Sequence, residues 1–233
     1  MKATISLGGS LLTGDKNDPK PTLSPQPYRT YAAVLQRLHA EGHQLMVVCG
    51  GGKPARHYIQ IAKKLDAPRT IQDMLGVKAT HINALLLTAA LGDAADQTRI
   101  YTRATELRHR QPDKIWVGGG YRPGSSTDYR AVLLARALAS DAVINATDVP
   151  GVYDANPRTN PKARNLDHLT HAQLEGIIKE NTRQAPGEYG LFDLKAAKLA
   201  TKINMPLVFI DGRDPEELRR AVEGGHGGTL VEG

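Results

Sequence analysis

Cysteine is nearly absent from the chain. Cys49 is the only one in 233 residues, so no internal disulfide can form and no zinc site can be built from repeated cysteines. With no charged-then-apolar leader at Met1, that usage leads us to expect a cytoplasmic protein in a reducing compartment. Cys49 itself closes an apolar run and reads as core rather than as a nucleophile. Aromatic residues make up only 5%, namely Trp116, Phe192, Phe209 and eight tyrosines, so the core has to rest on Leu, Val, Ile and Ala. No stretch reaches about 18 consecutive apolar residues, and no membrane partner is expected. Nor is there a basic run with interleaved aromatics. The excess of 30 Lys and Arg over 24 Asp and Glu gives a thinly spread +6, and no nucleic-acid partner is expected. The histidines are read as surface or polar-network residues, and no metal site is assigned to protein ligands.

What the chain does have is 40% hydrophobic and 23% charged residues, the balance of a folded soluble protein, and a length that predicts one large domain or two lobes without a linker. It also has 23 glycines and 14 prolines, many of them clustered, which points to turns as the place of function. Apolar runs at 2–7, 44–49, 114–117, 141–147, 206–210 and 229–232 read as strands. Helical spacing appears over 28–40, 53–65, 76–91, 127–139, 170–180, 193–203 and from Asp214-Pro215 onward. In 53–65 the expected core stripe is Tyr58, Ile59, Ala62 and Leu65; in 76–91 it is Ile82, Leu85, Leu86 and Ala89. Segments 15–27, 148–169 and 181–190 read as loops. Strands alternate with helices from end to end, which predicts an α/β fold with a mainly parallel sheet covered on both faces and ligands at the carboxyl ends of the strands.

Three connections share one form: an apolar strand, two or three glycines, then a helix. They fall at 8–9, 50–52 and 118–120. Glycine lets backbone N–H groups approach a ligand, and the helix that follows presents its positive end, so each is a candidate phosphate cradle. Neither familiar nucleotide signature fits. Gly50-Gly51-Gly52-Lys53 lacks the ending of a P-loop, and no G-x-G-x-x-G opens a helix with an acidic residue about 20 positions on.

Several motifs resemble the amino acid kinase superfamily and, within it, the archaeal-type uridylate kinases. They are Ile5-Ser6-Leu7-Gly8-Gly9-Ser10, Gly50-Gly51-Gly52-Lys53-Pro54-Ala55-Arg56, Asp73-Met74-Leu75-Gly76, Pro123-Gly124-Ser125-Ser126-Thr127-Asp128, Ala146-Thr147-Asp148-Val149-Pro150-Gly151-Val152-Tyr153 and Ala196-Ala197-Lys198. They occur in the family's order and cover nearly the whole chain. The resemblance implies a three-layer αβα sandwich, with an acceptor-binding lobe over about 1–140 and an ATP-binding lobe over about 141–233. It implies ATP-dependent phosphorylation of UMP with Mg²⁺, in a homohexamer assembled through the early helices. Gly8, Gly9, Ser10, Gly52 and Arg56 would meet the ATP phosphates, and Thr147, Tyr153 and Asn156 the ATP nucleoside. Gly51 would hold the UMP phosphate and Asp73 its ribose, while Tyr121, Arg122, Pro123, Gly124, Ser125, Ser126 and Thr127 would close over it.

Asp128 matches the carboxylate that organises the reaction centre, although a helix N-cap would also explain an aspartate there. The chain departs from the pattern at Ser6, where the superfamily carries a lysine. Lys198 is therefore expected to supply the missing charge beside Arg56, with Lys195 in reserve. It departs also at Tyr121 and Asn156, and at Arg183, Pro186 and Tyr189. Tyr121 is expected to decide the acceptor. Two other readings remain open: a kinase of this fold acting on another small phosphate or carboxylate, and a nucleotide- or oxyanion-binding protein without catalysis.

Overall fold

The computed structural model describes residues 1–14, 23–157, 160–184 and 191–233, with the backbone alone over 181–184. The expected loop residues 15–22 and 185–190, the latter with Pro186 and Tyr189, lie outside the described residues, as does the side chain of Arg183.

Among the described residues the strands are β1 (Lys2–Leu7), β2 (Gln44–Cys49), β3 (Trp116–Gly118), β4 (Ala142–Thr147), β5 (His168–Leu169), β6 (Leu207–Asp211) and β7 (Thr229–Val231). They form one sheet in the order β3-β2-β1-β4-β6-β7-β5, and every neighbour is parallel except β6 with β7. The helices are α1 (Gly9–Thr13), α2 (Pro25–Ala40), α3 (Gly52–Lys64), α4 (Arg69–Leu91), α5 (Thr127–Leu138), α6 (His171–Gln184), α7 (Leu194–Ile203) and α8 (Pro215–Val222).

The period of two along each strand sorts the core into two layers. Ala3, Ile5 and Leu7 of β1, with Leu45, Val47 and Cys49 of β2, meet Leu35 and Leu38 of α2, Leu87 of α4 and Leu218 of α8. On the other face Met46, Val48, Val143 and Phe209 meet Val132 and Leu134 of α5, Leu174 of α6 and Ala196 of α7. The result is the expected three-layer αβα sandwich.

Three local differences from the sequence reading have physical causes. Helix α4 begins at Arg69 rather than at residue 76, because Ile71 and Met74 in its first turns face outward and leave no inward stripe to read. Helix α2 begins at Pro25, since the Ser24 hydroxyl caps it by accepting from the Gln26 amide at 3.2 Å. The third difference is an exposed apolar face. Tyr58, Ile61 and Leu65 of α3 and Ile82, Leu85 and Leu86 of α4 are each at least 40% exposed, so most of the expected core stripes point away from the core. Ala55 and Ala62 of α3 and Asn83, Ala84, Leu87 and Leu91 of α4 are among the residues turned inward.

Candidate active site

Because β1, β2, β3, β4 and β6 run parallel, their carboxyl ends share one edge. Strand β1 has β2 on one side and β4 on the other, and that reversal of order is where open α/β sheets bind ligands. The glycine turns at 8–9 and 50–52 both lie there and touch backbone to backbone. A methyl group on Gly9 would stand 2.1 Å from the Gly52 nitrogen, and one on Gly50 would stand 2.5 Å from the Gly9 nitrogen. Gly52, with φ +62, leaves no room either, since its Cβ would fall 2.1 Å from Thr13 Oγ1. Thr13 ties the turns together, donating to the Gly9 carbonyl at 2.8 Å and accepting from the Lys53 amide at 3.0 Å. Beneath them the buried Asn83 donates to the Gly50 carbonyl at 2.7 Å and accepts from the Tyr28 hydroxyl at 3.0 Å. The amides of Gly9, Ser10, Gly51 and Gly52 stand at the starts of α1 and α3, where helix geometry leaves N–H groups for an anion.

The third glycine turn is different, and the expectation of a phosphate cradle there is corrected. The Gly119 amide donates to the Tyr101 carbonyl at 3.2 Å and the Gly120 amide to Thr80 Oγ1 at 2.8 Å. Glycine is needed at 118 because the Tyr101 carbonyl passes 2.3 Å from where a Cβ would be. These glycines serve close packing.

A cleft of about 450 Å³ opens beside the turn at 50–52. Its walls come from Gly51, Gly52 and Arg56 of α3, from Arg69, Asp73 and Gly76 of α4, from Arg122, Pro123, Gly124, Ser125, Ser126 and Thr127, and from Asp193. Asp73 joins two walls: one carboxylate oxygen accepts from Arg69 Nε at 2.9 Å, the other from the Gly124 amide at 3.1 Å. Gly51 must lack a side chain because its Cβ would crowd Ala55 at 2.6 Å. Ser125 Oγ is buried without a partner.

Asp128 sits in the first turn of α5 but does not cap it; Ser126 does, accepting from the Tyr129 amide at 3.1 Å. The N-cap explanation therefore falls away. Asp128 instead turns to β1, where the Ser6 hydroxyl donates to it at 2.9 Å. Burial pushes its carboxyl up to about 6, and the negative charge of Asp193 adds to that, against the Ser6 hydroxyl and the Asp193 amide, which favour the anion. Asp193, which the sequence reading treated only as a helix start, caps α7 through the Lys195 and Ala196 amides at 2.7 and 3.1 Å and also lines the cleft. Its cap position was the one legible sign of it. Ser6 thus offers a hydroxyl, with no charge of its own, to a carboxylate that has a second carboxylate near it. No cluster of three or more His, Cys, Asp or Glu able to hold a metal exists among the described residues.

A family model described as the amino acid kinase family matches residues 1–211. The chain belongs to the amino acid kinase family. It is 39% identical to a uridylate kinase of Methanoculleus marisnigri, over 99% of this chain and 95% of that one. It is 37% identical to a uridylate kinase of Thermococcus onnurineus, with both chains covered in full. The crystal structure of a uridylate kinase from Archaeoglobus fulgidus superposes with a TM-score of 0.83 at 34% identity, covering 99% of this chain and 100% of that one.

Within this amino acid kinase fold, the remaining expected positions divide. Thr147 stands at the carboxyl end of β4, next to β1, and its hydroxyl accepts from the Val149 amide at 3.2 Å. Tyr153 and Asn156 follow in the connection beyond it, half-buried, with Tyr153 bridged to Asn165. Ser10 lines a second cavity, of about 510 Å³, with Tyr31, Asp148 and Arg213. Lys198 does not line the cleft. It is exposed on α7 beside Glu175 of α6, whose carboxyl is held below the usual range by the Thr201 hydroxyl, then by Lys179 and Lys198. Lys195 is exposed as well. The cations at the cleft are Arg56, Arg69 and Arg122. Tyr121 lies outside the cleft lining too, 41% exposed, with the Arg130 guanidinium 4.8 Å from its ring centre. Tyr121 stands at the start of the segment whose next residues, 122–127, line the cleft.

Proposed function

We propose that this protein transfers the γ-phosphoryl group of ATP to UMP, giving ADP and UDP. The observation that carries the reading is the cleft itself. Gly51, Asp73 and the segment 122–127 come from three stretches of sequence and meet around one volume beside the paired glycine turns. The names of the curated relatives agree with it.

In the transfer an oxygen of the UMP phosphate bonds to the γ-phosphorus while the bond from γ-phosphorus to the bridging oxygen breaks, and ADP leaves with that electron pair. The acceptor phosphate is already ionised, so no base is required, and catalysis is positioning and charge neutralisation. Backbone N–H groups at 9–10 and 51–52 hold the phosphates that meet there, with Arg56 contributing its cation. Asp73 takes the ribose hydroxyls, and 122–127 closes the far wall. The lobe over 1–140 supplies the acceptor side, and Thr147, Tyr153 and Asn156 take the nucleoside of ATP.

Asp128 and Asp193 suit Mg²⁺, a hard cation that takes one or two carboxylates and completes its shell with phosphate oxygens and water. The raised Asp128 carboxyl beside a second carboxylate marks a place short of positive charge. Bound there with ATP, the ion would neutralise charge developing on the phosphates.

The apolar face of α3 and α4 supports assembly of several copies of this chain through the early helices, and by resemblance a hexamer. Helix α4 is long and apolar enough to cross a membrane, yet Asn83 and Leu87 lock one side of it under the glycine turns and the sheet. We therefore assign it to assembly and propose a cytoplasmic enzyme with no membrane or nucleic-acid partner. A coupled assay of ADP release with UMP, CMP, AMP and isopentenyl phosphate tests the activity. UMP is expected to be the best acceptor, and Arg56→Ala to lower kcat/KM by about 10²–10³. No turnover with any acceptor would refute the reading.

A further inference from the structure

Arg130 has no role in the chemistry above, and its surroundings are unusual. It lies in the first turns of α5 with 6% of its surface exposed, and its Nε is buried without a hydrogen-bond partner. Among the described residues neither it nor Arg122 forms an ion pair. Burial and the like charge of Arg122 both work against its ionisation, and Tyr121, Tyr129 and Glu106 act the other way. Glu106 is largely spent elsewhere, since it accepts from the Thr102 and Arg103 amides at 2.8 and 3.0 Å and from Arg103 Nε at 2.9 Å. Among the described residues, the guanidinium of Arg130 stands over the face of Tyr121, 4.8 Å from the ring centre. A buried cation without a carboxylate is costly, and an aromatic face is the weaker compensation that remains.

The placement gives this stack a consequence for the cleft. Tyr121 and Arg122 are the first residues of the segment that forms the far wall, and that wall is also pinned by the Asp73 contact to the Gly124 amide, by the Ser125 amide donating to the Arg122 carbonyl at 3.3 Å, by a side-chain hydrogen bond between Arg103 and Tyr121, and by the His81 ring at 2.6 Å from the Gly120 carbonyl. Its other end is anchored where the Arg130 amide donates to the Ser126 carbonyl at 3.2 Å. Arg130 therefore holds the wall at both ends, by its backbone at Ser126 and by its side chain under Tyr121.

We infer that Arg130, acting through Tyr121, is a positioning residue for the acceptor: it holds the 121–127 wall in place. The inference rests on the reading of this cleft as the acceptor site.

The test compares Arg130→Met, which keeps the bulk and removes the charge, with Arg130→Lys, which keeps a cation able to sit on a ring. Arg130→Met is expected to raise KM for UMP about tenfold, with kcat and KM for ATP within about twofold of the parent. Arg130→Lys should recover most of that loss, and Tyr121→Thr combined with Arg130→Met should cost little more than either alone. Hydrogen exchange of the substrate-free protein gives a readout that does not depend on activity: residues 121–127 should exchange faster in Arg130→Met and near the parent rate in Arg130→Lys. An unchanged KM, or Met serving as well as Lys in either measurement, overturns the inference. If the parent enzyme does not phosphorylate UMP, the reading of the function fails, and the exchange comparison still decides whether Arg130 holds the wall.

Discussion

Asp128→Asn tests the electrostatics of the proposed reaction centre. In the native protein the Asp128 carboxyl is raised from 3.8 to about 6, first by burial and then by Asp193. A native value above the unfolded one means the folded state binds the proton more tightly. Its stabilising contribution is present below about pH 4 and is lost as pH rises through about 6. At about 1.4 kcal/mol per pH unit, the site is worth about 3 kcal/mol in full, of which the native state gives up about 2.4 kcal/mol between pH 4 and pH 7. Asparagine does not titrate, and its Oδ1 can still accept from Ser6. Unfolding free energies of parent and variant, measured by urea denaturation at one protein concentration from pH 4 to 7.5, should therefore diverge with pH. The parent should lose about 2.4 kcal/mol relative to the variant over that range, whatever constant offset the new amide introduces beside the Asp193 amide. The variant should at the same time lose most of its turnover. Asp193→Asn, which keeps an equally good helix cap, should shrink the divergence by removing the second charge. Parallel curves for parent and Asp128→Asn would show an ordinary carboxyl and refute the account of a charge-poor site.

Gly52→Ala should destabilise the protein by about 2 kcal/mol or more, because alanine at φ +62 is strained and its methyl would collide with Thr13 Oγ1 and the Gly9 carbonyl; thermal melting reads this directly. Asn83→Leu should cost about 2–3 kcal/mol by leaving the Gly50 carbonyl and the Tyr28 hydroxyl buried and unpaired, with kcat falling as the glycine turn loosens. Lys198→Ala should leave kcat/KM within about twofold, because its side chain stands beside Glu175 and outside the cleft; a loss of about a hundredfold in steady-state assays would restore it to the reaction centre.

The sequence by itself determined six of the seven described strands, the longer helices, the mainly parallel sheet and the residue types at the first two glycine turns, while the two-residue β5 lies in a stretch that read as loop. These are local properties: the period of two or 3.6 in apolar residues, and a glycine wherever a strand must turn sharply into a helix. It also marked much of the cleft lining, since Asp73 and 122–127 belong to motifs that resemble the family, legible before their meeting place was. Tertiary structure alone decided which polar groups remain available. The turns at 50–52 and 118–120 look alike as sequence, yet Thr80 and Tyr101 occupy the amides of the second. Asp193 and Lys198 sit five residues apart near the start of α7, and only the packing of that helix turns the carboxylate into the cleft and the lysine toward α6. The apolar stripes of α3 and α4 have helical spacing either way. Whether such a stripe meets a sheet or is left for another copy of the chain depends on what lies across from it, and that information is carried by residues far away in sequence.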